Sequence, residues 1–183
     1  RYAVDFIQRF GFDSDKHPPH LSMALGAGSV TPWQMVEGFS VFANIGRRTE
    51  PYLISKVTDA SGKVLMQSTA EAEKVAGVEA LDPRNAYIMH QMLHGVATSG
   101  TAARATASLK RTDIAGKTGT SNDAFDVWFV GYAGDQCAAV WMGFDQPRSL
   151  GRRAQGAGLA LPVWIDYMSC LLYTSDAADE RSS

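Results

Sequence analysis

A lysine, a glycine and two threonines stand together in a segment that has the apolar lead-in of a β-strand. Residues 114–116 (IAG) run directly into Lys117, Thr118, Gly119 and Thr120. Successive side chains of a strand point to opposite faces, so we expect the lysine and glycine on one face and both threonines on the other. A fixed positive charge and two hydroxyl donors are suited to binding a terminal carboxylate.

The main chain of the same segment also has chemical uses. Gly119 has no side chain, so another backbone can approach it closely. An extended peptide could then add to the strand edge through main-chain hydrogen bonds. The backbone N–H of Thr120 is a candidate oxyanion donor, a type of group that typically lowers a barrier by about 3 kcal/mol. The segment predicts a surface that binds a peptide with a free carboxylate.

Other chemically capable residues favour structural interpretations. His90 and His94 have the i, i+4 spacing of a helical metal site, but no glutamate lies between them and no third ligand is evident. We expect a packed or solvated pair. Asp123 and Asp126 could act as acid and base or as one edge of a metal site, but turn capping is favoured. Cys137 follows a turn and is expected to be a buried, inert thiol.

Aromatic and basic residues complete the set of candidates. Arg148, Arg152 and Arg153 cluster in a glycine-rich stretch, where a solvated loop is favoured over an acidic-ligand site. We expect the four tryptophans in the core, and among them Trp128 is the one to check for contact with the site. They are Trp33, Trp128, Trp141 and Trp164.

The elements that must position these residues change in kind along the chain. Thr31, Pro32 and Gln34 form the start signal of a helix that should stop at Gly46, and Asp82 caps another helix. Helices are predicted at 2–10, from Pro32, at 83–96, after 98–105 and at 162–168. Strands are predicted at 52–58, 64–67, 114–120, 127–132 and 138–144. This order predicts an α+β fold, an antiparallel sheet with helices packed on it.

Composition and net charge narrow the class of protein. The chain has 183 residues, 45% hydrophobic and 20% charged, which is typical of one globular domain. A net charge of −2 without a basic patch argues against a nucleic-acid partner. No run approaches the roughly 18 to 20 apolar residues of a membrane helix.

Several collinear segments resemble one known family. Residues 115–123 (AGKTGTSND), 126–132 (DVWFVGY) and 140–144 (VWMGF) resemble the end of the transpeptidase domain of class A, bifunctional penicillin-binding proteins of the 1A type. Upstream, 21–32 (LSMALGAGSVTP) and 42–46 (FANIG) also resemble that family. Lys-Thr-Gly is one signature element of penicillin-binding proteins and serine β-lactamases.

The resemblance implies a fold, an activity and partners. It implies a penicillin-binding-protein and β-lactamase-like fold, incomplete at its N-terminus. The parent protein would be a serine D,D-transpeptidase that cross-links peptidoglycan stem peptides and is acylated by β-lactams. Lys117 would be catalytic, and Thr118, Gly119 and Thr120 would bind substrate. The parent would be anchored in the cytoplasmic membrane and face the periplasm, with no metal or organic cofactor.

The resemblance also leaves a gap. The family's Ser-x-x-Lys and Ser-x-Asn motifs do not occur here; Ser61-Gly62-Lys63 and Ser121-Asn122 have the wrong spacing. In the family both motifs precede the part that resembles this chain. We therefore expect a piece of a transpeptidase that lacks its nucleophile and is inactive alone. A β-lactamase-like serine hydrolase and a non-catalytic peptidoglycan-binding module are the alternatives.

The last residues carry a separate expectation. Residues 170–179 (CLLYTSDAAD) can be back-translated into codons that resemble a transposase sequencing adapter. We expect residues 1–169 to be the C-terminal part of a transpeptidase domain and 170–183 to be a non-native tail. Cys137 would then be the one native cysteine, which leaves no partner for an intramolecular disulfide.

Overall fold

A computed structural model of the chain describes residues 1–68 and 77–179. The helices are α1 (Tyr2–Ile7), α2 (Pro32–Ala43), α3 (Pro83–Thr98), α4 (Ala103–Leu109) and α5 (Ala160–Asp179). The strands are β1 (Arg47–Arg48), β2 (Lys56–Thr58), β3 (Val64–Gln67), β4 (Val78–Glu79), β5 (Ala115–Thr120), β6 (Asp126–Ala133) and β7 (Gln136–Gly143). Short 3-10 helices lie at Gln8–Phe10, Ser14–Lys16, Leu21–Leu25 and Asn122–Ala124.

A three-stranded antiparallel sheet organises the molecule, with the strand order β5-β6-β7. β5 lies at one edge, so the segment predicted to bind a ligand is on an outer strand. The register places Gly119 opposite Trp128, and Trp128 opposite Trp141. The short strands pair as β1 with β4 and β2 with β3, both antiparallel.

Helices cover both faces of this sheet. On one face, α4 and α5 pack against β6 through a core that includes Ala105, Phe129 and Trp164. On the other face, Leu93 of α3 packs with Ala115 and Tyr132. The Trp164 ring meets the Phe129 ring edge-on at 5.0 Å, and its Nε1–H donates to the Ala138 carbonyl at 3.1 Å. The α+β prediction is confirmed.

Helix starts follow their sequence signals closely. The Thr31 hydroxyl accepts the Gln34 N–H at 3.2 Å, and the Gln34 side chain accepts the Thr31 N–H at 3.0 Å. Asp82 accepts the Arg84 N–H at 2.9 Å at the start of α3. Gly46, with φ of 88°, donates its N–H to the Val41 carbonyl just beyond the end of α2. Both predicted caps are confirmed.

Some boundaries differ from the predictions. Residues 52–55 do not belong to β2, which begins at Lys56. The sequence predicts the closing helix at 162–168, but α5 extends from Ala160 to Asp179 and buries Leu172. Residues 69–76 and 180–183 lie outside the described residues.

Two tryptophan predictions are wrong. Trp33 is 44% exposed in the first turn of α2, and Trp141 is 38% exposed on β7. Composition cannot distinguish a core indole from one that borders an open surface. Trp164 is fully buried, as expected.

Within 1–68 and 77–179, no helix combines the length and apolar character that crossing a membrane requires.

Candidate functional site

The Lys117–Thr120 segment uses both faces of β5. Gly119 faces Trp128, because a Cβ built on Gly119 would lie 3.2 Å from the Trp128 Cβ. Thr118 and Thr120 point to the opposite face, where residues near the starts of α4 and α5 meet them. The predicted alternation of side chains is therefore confirmed.

Lys117 is an exposed residue at the sheet edge. Its Nζ donates a hydrogen bond to the carbonyl of Thr118 at 2.8 Å. This contact holds the ammonium group beside the edge of β5, so the positive charge lies where an added peptide strand would run.

Each threonine hydroxyl of the segment has a partner from outside the strand. Thr118 Oγ1 lies 2.8 Å from Thr101 Oγ1, and either oxygen can be the donor. Thr120 Oγ1 accepts the backbone N–H of Gly156 at 3.1 Å. Sequence reasoning missed Thr101 and Gly156 because they are 17 and 36 residues from their partners. The one sequence feature that could have pointed to these two residues is the high content of small residues in both loops.

An open cavity of about 750 Å³ lies against this part of the sheet. Lys117 to Ser121 line it from β5 and its end, and Trp128, Val130 and Trp141 line it from β6 and β7. The N-terminal segment and α2 supply the opposite side, with Phe12, His17, Met23, Leu25, Val30, Thr31, Pro32, Met35 and Phe39 among the lining residues. The four predicted site residues thus share one cavity with Trp128, the tryptophan singled out from the sequence.

The two aspartates lie at the turn after β5. The N–H of Asp126 donates to Ser121 Oγ at 2.9 Å, and Ser121 Oγ donates to the Asp126 carbonyl at 3.2 Å. Asp123 has a φ of 57°, and its carbonyl accepts the Ser149 hydroxyl at 2.7 Å. These contacts use main-chain atoms of both aspartates, so capping by their side chains stays a prediction; Asp126 also borders the cavity.

The histidine pair is packed through hydrogen bonds. His90 Nδ1 lies 2.9 Å from the Tyr132 hydroxyl, and His94 Nε2 lies 2.8 Å from the Thr112 carbonyl. Burial, followed by the charge of His94, lowers the pKa of His90. Among the described residues, no three His, Cys, Asp or Glu side chains form a group suited to a metal ion.

Cys137 is partly buried on β7, where its Sγ lies 3.7 Å from the Val36 carbonyl. Burial raises the pKa of the Cys137 thiol to about 12. The thiol therefore stays protonated at ordinary pH, as an inert residue should.

The arginine cluster is open to solvent. The Arg148 guanidinium stacks over the Phe144 ring at 3.8 Å, while Arg152 and Arg153 are exposed. This arrangement agrees with a solvated loop.

Residues 12–164 match the model of the penicillin binding protein transpeptidase domain. The chain belongs to the penicillin-binding protein transpeptidase family. The resemblance inferred from residues 115–123, 126–132 and 140–144 is confirmed.

Relatives and a solved structure agree. Penicillin-binding protein 1A of Neisseria meningitidis serogroup A is 49% identical over 167 residues, which cover 91% of this chain and 21% of the relative. Penicillin-binding protein 1A of Pseudomonas aeruginosa is 39% identical, covering 93% of this chain and 26% of the relative. The chain therefore spans about a fifth to a quarter of the length of these relatives.

The crystal structure of penicillin-binding protein 1A from Haemophilus influenzae matches the fold with a TM-score of 0.84. The two sequences are 31% identical, and the match covers 93% of this chain and 30% of that one. The predicted penicillin-binding-protein type of α+β fold is confirmed.

Proposed function

We propose that this chain is the C-terminal part of a peptidoglycan D,D-transpeptidase domain and that β5 binds the stem peptide. One observation carries the proposal: Lys117, Thr118, Gly119 and Thr120 lie on an edge strand and line one open cavity. An edge strand can accept an extended peptide through main-chain hydrogen bonds. The N-terminal segment and α2 bound the space into which that peptide would extend.

The four residues have different roles in binding the stem peptide. The hydroxyls of Thr118 and Thr120 donate to the terminal carboxylate of the stem peptide. Lys117 adds a positive charge near the reacting carbonyl, and Gly119 keeps the strand accessible. Charge-assisted hydrogen bonds are shorter and about twice as strong as neutral ones, so a carboxylate is the preferred ligand.

The nucleophile has to come from another part of a longer protein. The printed sequence contains no Ser-x-x-Lys, and relatives of the 1A type are about four to five times longer. In the parent, the serine would form an acyl-enzyme with a stem peptide, and β-lactams would acylate the same serine.

The parent would be membrane-anchored and periplasmic, would use no metal or organic cofactor, and would have no nucleic-acid partner. Residues 170–183 would be a non-native tail.

A chimera provides the test. Residues 2–168 replace the matching segment of complete penicillin-binding protein 1A from Neisseria meningitidis, and the product is incubated with a fluorescent penicillin. We expect a boil-resistant label on the chimera and none on the 183-residue chain. The unaltered Neisseria protein is the positive control.

Each alternative has its own signature in this experiment. A label that is lost within minutes, with continued drug turnover, favours a β-lactamase-like hydrolase. Peptidoglycan binding without any label favours a binding module. A stoichiometric label on the 183-residue chain contradicts the proposed absence of a nucleophile.

A further inference from the structure

Thr101 supplies a third hydroxyl beside the carboxylate-binding strand. Its Oγ1 lies 2.8 Å from the Thr118 Oγ1, although Thr101 belongs to the loop between α3 and α4. Thr101 is itself exposed, so this contact is not a consequence of burying its side chain in the core.

The loop that carries Thr101 is held in place independently of Thr118. Ala102, the next residue, is fully buried, and its N–H donates to the Val96 carbonyl at 3.1 Å. Gly100 donates to the Gly95 carbonyl at 3.1 Å, and a Cβ at Gly100 would lie 2.8 Å from the Val96 Cα. The end of α3 therefore fixes where the Thr101 hydroxyl lies.

The proton count of the two hydroxyls gives this contact a direction. A hydroxyl has one proton to donate and lone pairs with which to accept. When Thr118 donates to a carboxylate, its contact with Thr101 requires Thr101 to be the donor. Thr120 already has this polarity, because it accepts from the Gly156 N–H and keeps its own proton available.

We propose that Thr101 is a positioning residue that directs the Thr118 hydroxyl proton toward the carboxylate of a bound peptide or β-lactam. The inference rests on the proposed function and extends it to a residue outside the Lys117–Thr120 segment. Thr101 does not touch the ligand; it acts by donating to Thr118.

The test compares two ligands that differ in charge at one point. Thr101→Val and Thr101→Ser are made in the chimera, and acylation rate constants are measured with benzylpenicillin and with its methyl ester. Without the Thr101 donor, the Thr118 proton is free to turn away from the carboxylate, so Thr101→Val should slow acylation by benzylpenicillin about three- to tenfold, as for the loss of one hydrogen bond. The neutral ester should lose no more than about twofold, because its bond to Thr118 is not charge-assisted. Thr101→Ser, which keeps the hydroxyl, should restore the original rate.

The outcomes separate this inference from the proposed function. If the unaltered chimera labels normally and its Thr101→Val variant reacts equally fast, the role of Thr101 is overturned but the proposed function is not. Equal losses with both ligands, or failure of Thr101→Ser to recover, assign Thr101 a merely structural role and also overturn it. A parent chimera that reacts with neither ligand overturns the proposed function, and this inference with it.

Discussion

The backbone N–H of Gly156 donates a hydrogen bond to the Thr120 hydroxyl at 3.1 Å, which joins the loop before α5 to β5. Gly156 is buried at this contact. A Cβ on Gly156 would collide with the main-chain oxygen of Trp128 and would lie 2.6 Å from that of Gly119. The loop therefore approaches β5 and β6 so closely that only glycine fits.

Gly156→Ala should push this loop away from the sheet. The collision is with backbone atoms, so we expect a loss of about 1–3 kcal/mol in the free energy of unfolding, as for an overpacked core. The lost Thr120 contact should also slow acylation by benzylpenicillin. Thermal unfolding and labelling of the chimera measure both effects.

The matched control is Gly158→Ala. A Cβ at Gly158 would lie 3.7 Å from the Gln155 carbonyl, an ordinary contact, so stability and labelling should hardly change. Equal behaviour of the two variants would show that close approach at Gly156 is not what holds the loop.

Lys117→Ala should slow acylation without unfolding the domain. The lysine is exposed and its Nζ donates to the neighbouring Thr118 carbonyl, so removal of its side chain leaves the core unchanged. Loss of one electrostatic stabiliser of a developing charge typically costs about 10²–10³ in rate. The acylation rate constant and thermal midpoint of the chimera are the measurements.

Lys63→Ala, in the exposed turn between β2 and β3, tests whether loss of any lysine charge suffices. This variant should be acylated at the rate of the unaltered chimera. If Lys117→Ala acylates equally fast, Lys117 has no part in the mechanism.

Local signals in the sequence were enough for much of the fold. The Thr31 capping box and the Asp82 cap depend on residues within a few positions, so each could be recognised without knowing the tertiary structure. The two-residue repeat of a strand likewise placed Thr118 and Thr120 on a common face.

The second partner of each threonine could not be predicted, because it arrives through packing. Thr101 reaches Thr118 because buried Ala102 anchors its loop on α3. Gly156 reaches Thr120 because the loop before α5 packs closely against the main chain of β5 and β6. The core prediction for Trp141 is wrong because composition does not reveal that β7 borders an open cavity.

Trp164→Phe should destabilise the domain by about 1–3 kcal/mol, because the Ala138 carbonyl loses a buried hydrogen bond. Trp164→Ala should cost more, about 3–5 kcal/mol, since it also removes the edge-on contact with Phe129. Thermal unfolding of the chimera shows whether the two stability losses follow this order. Trp33→Phe, at an exposed position, is the control and should have little effect. Equal shifts at Trp164 and Trp33 would contradict the core assignment.

Mild acid should weaken the contact between α3 and the sheet. The pKa of His90 is lowered from 6.5 by burial and then by the charge of His94, so the folded state prefers neutral His90. The stability that neutral His90 gives the folded state is therefore complete above about pH 6.5. It is lost as the pH falls through the lowered pKa. The parent chimera should lose more thermal stability than His90→Gln between pH 7.5 and pH 5. Equal losses would assign the pH effect to other groups.

Cys137 should resist alkylation in the native 183-residue chain, whereas the exposed Cys170 should react. Burial raises the Cys137 pKa from 9.0 to about 12, so its thiolate fraction at pH 8 falls about a thousandfold, and thiolate is the reactive form. With iodoacetamide at pH 8, we expect one modified thiol per native chain and two in urea. Cys170→Ser should then stay unmodified until unfolded, and Cys137→Ser should react as the parent does. Rapid native modification of Cys170→Ser would mean that β7 opens readily from α2, against the packing that places the thiol beside the Val36 carbonyl.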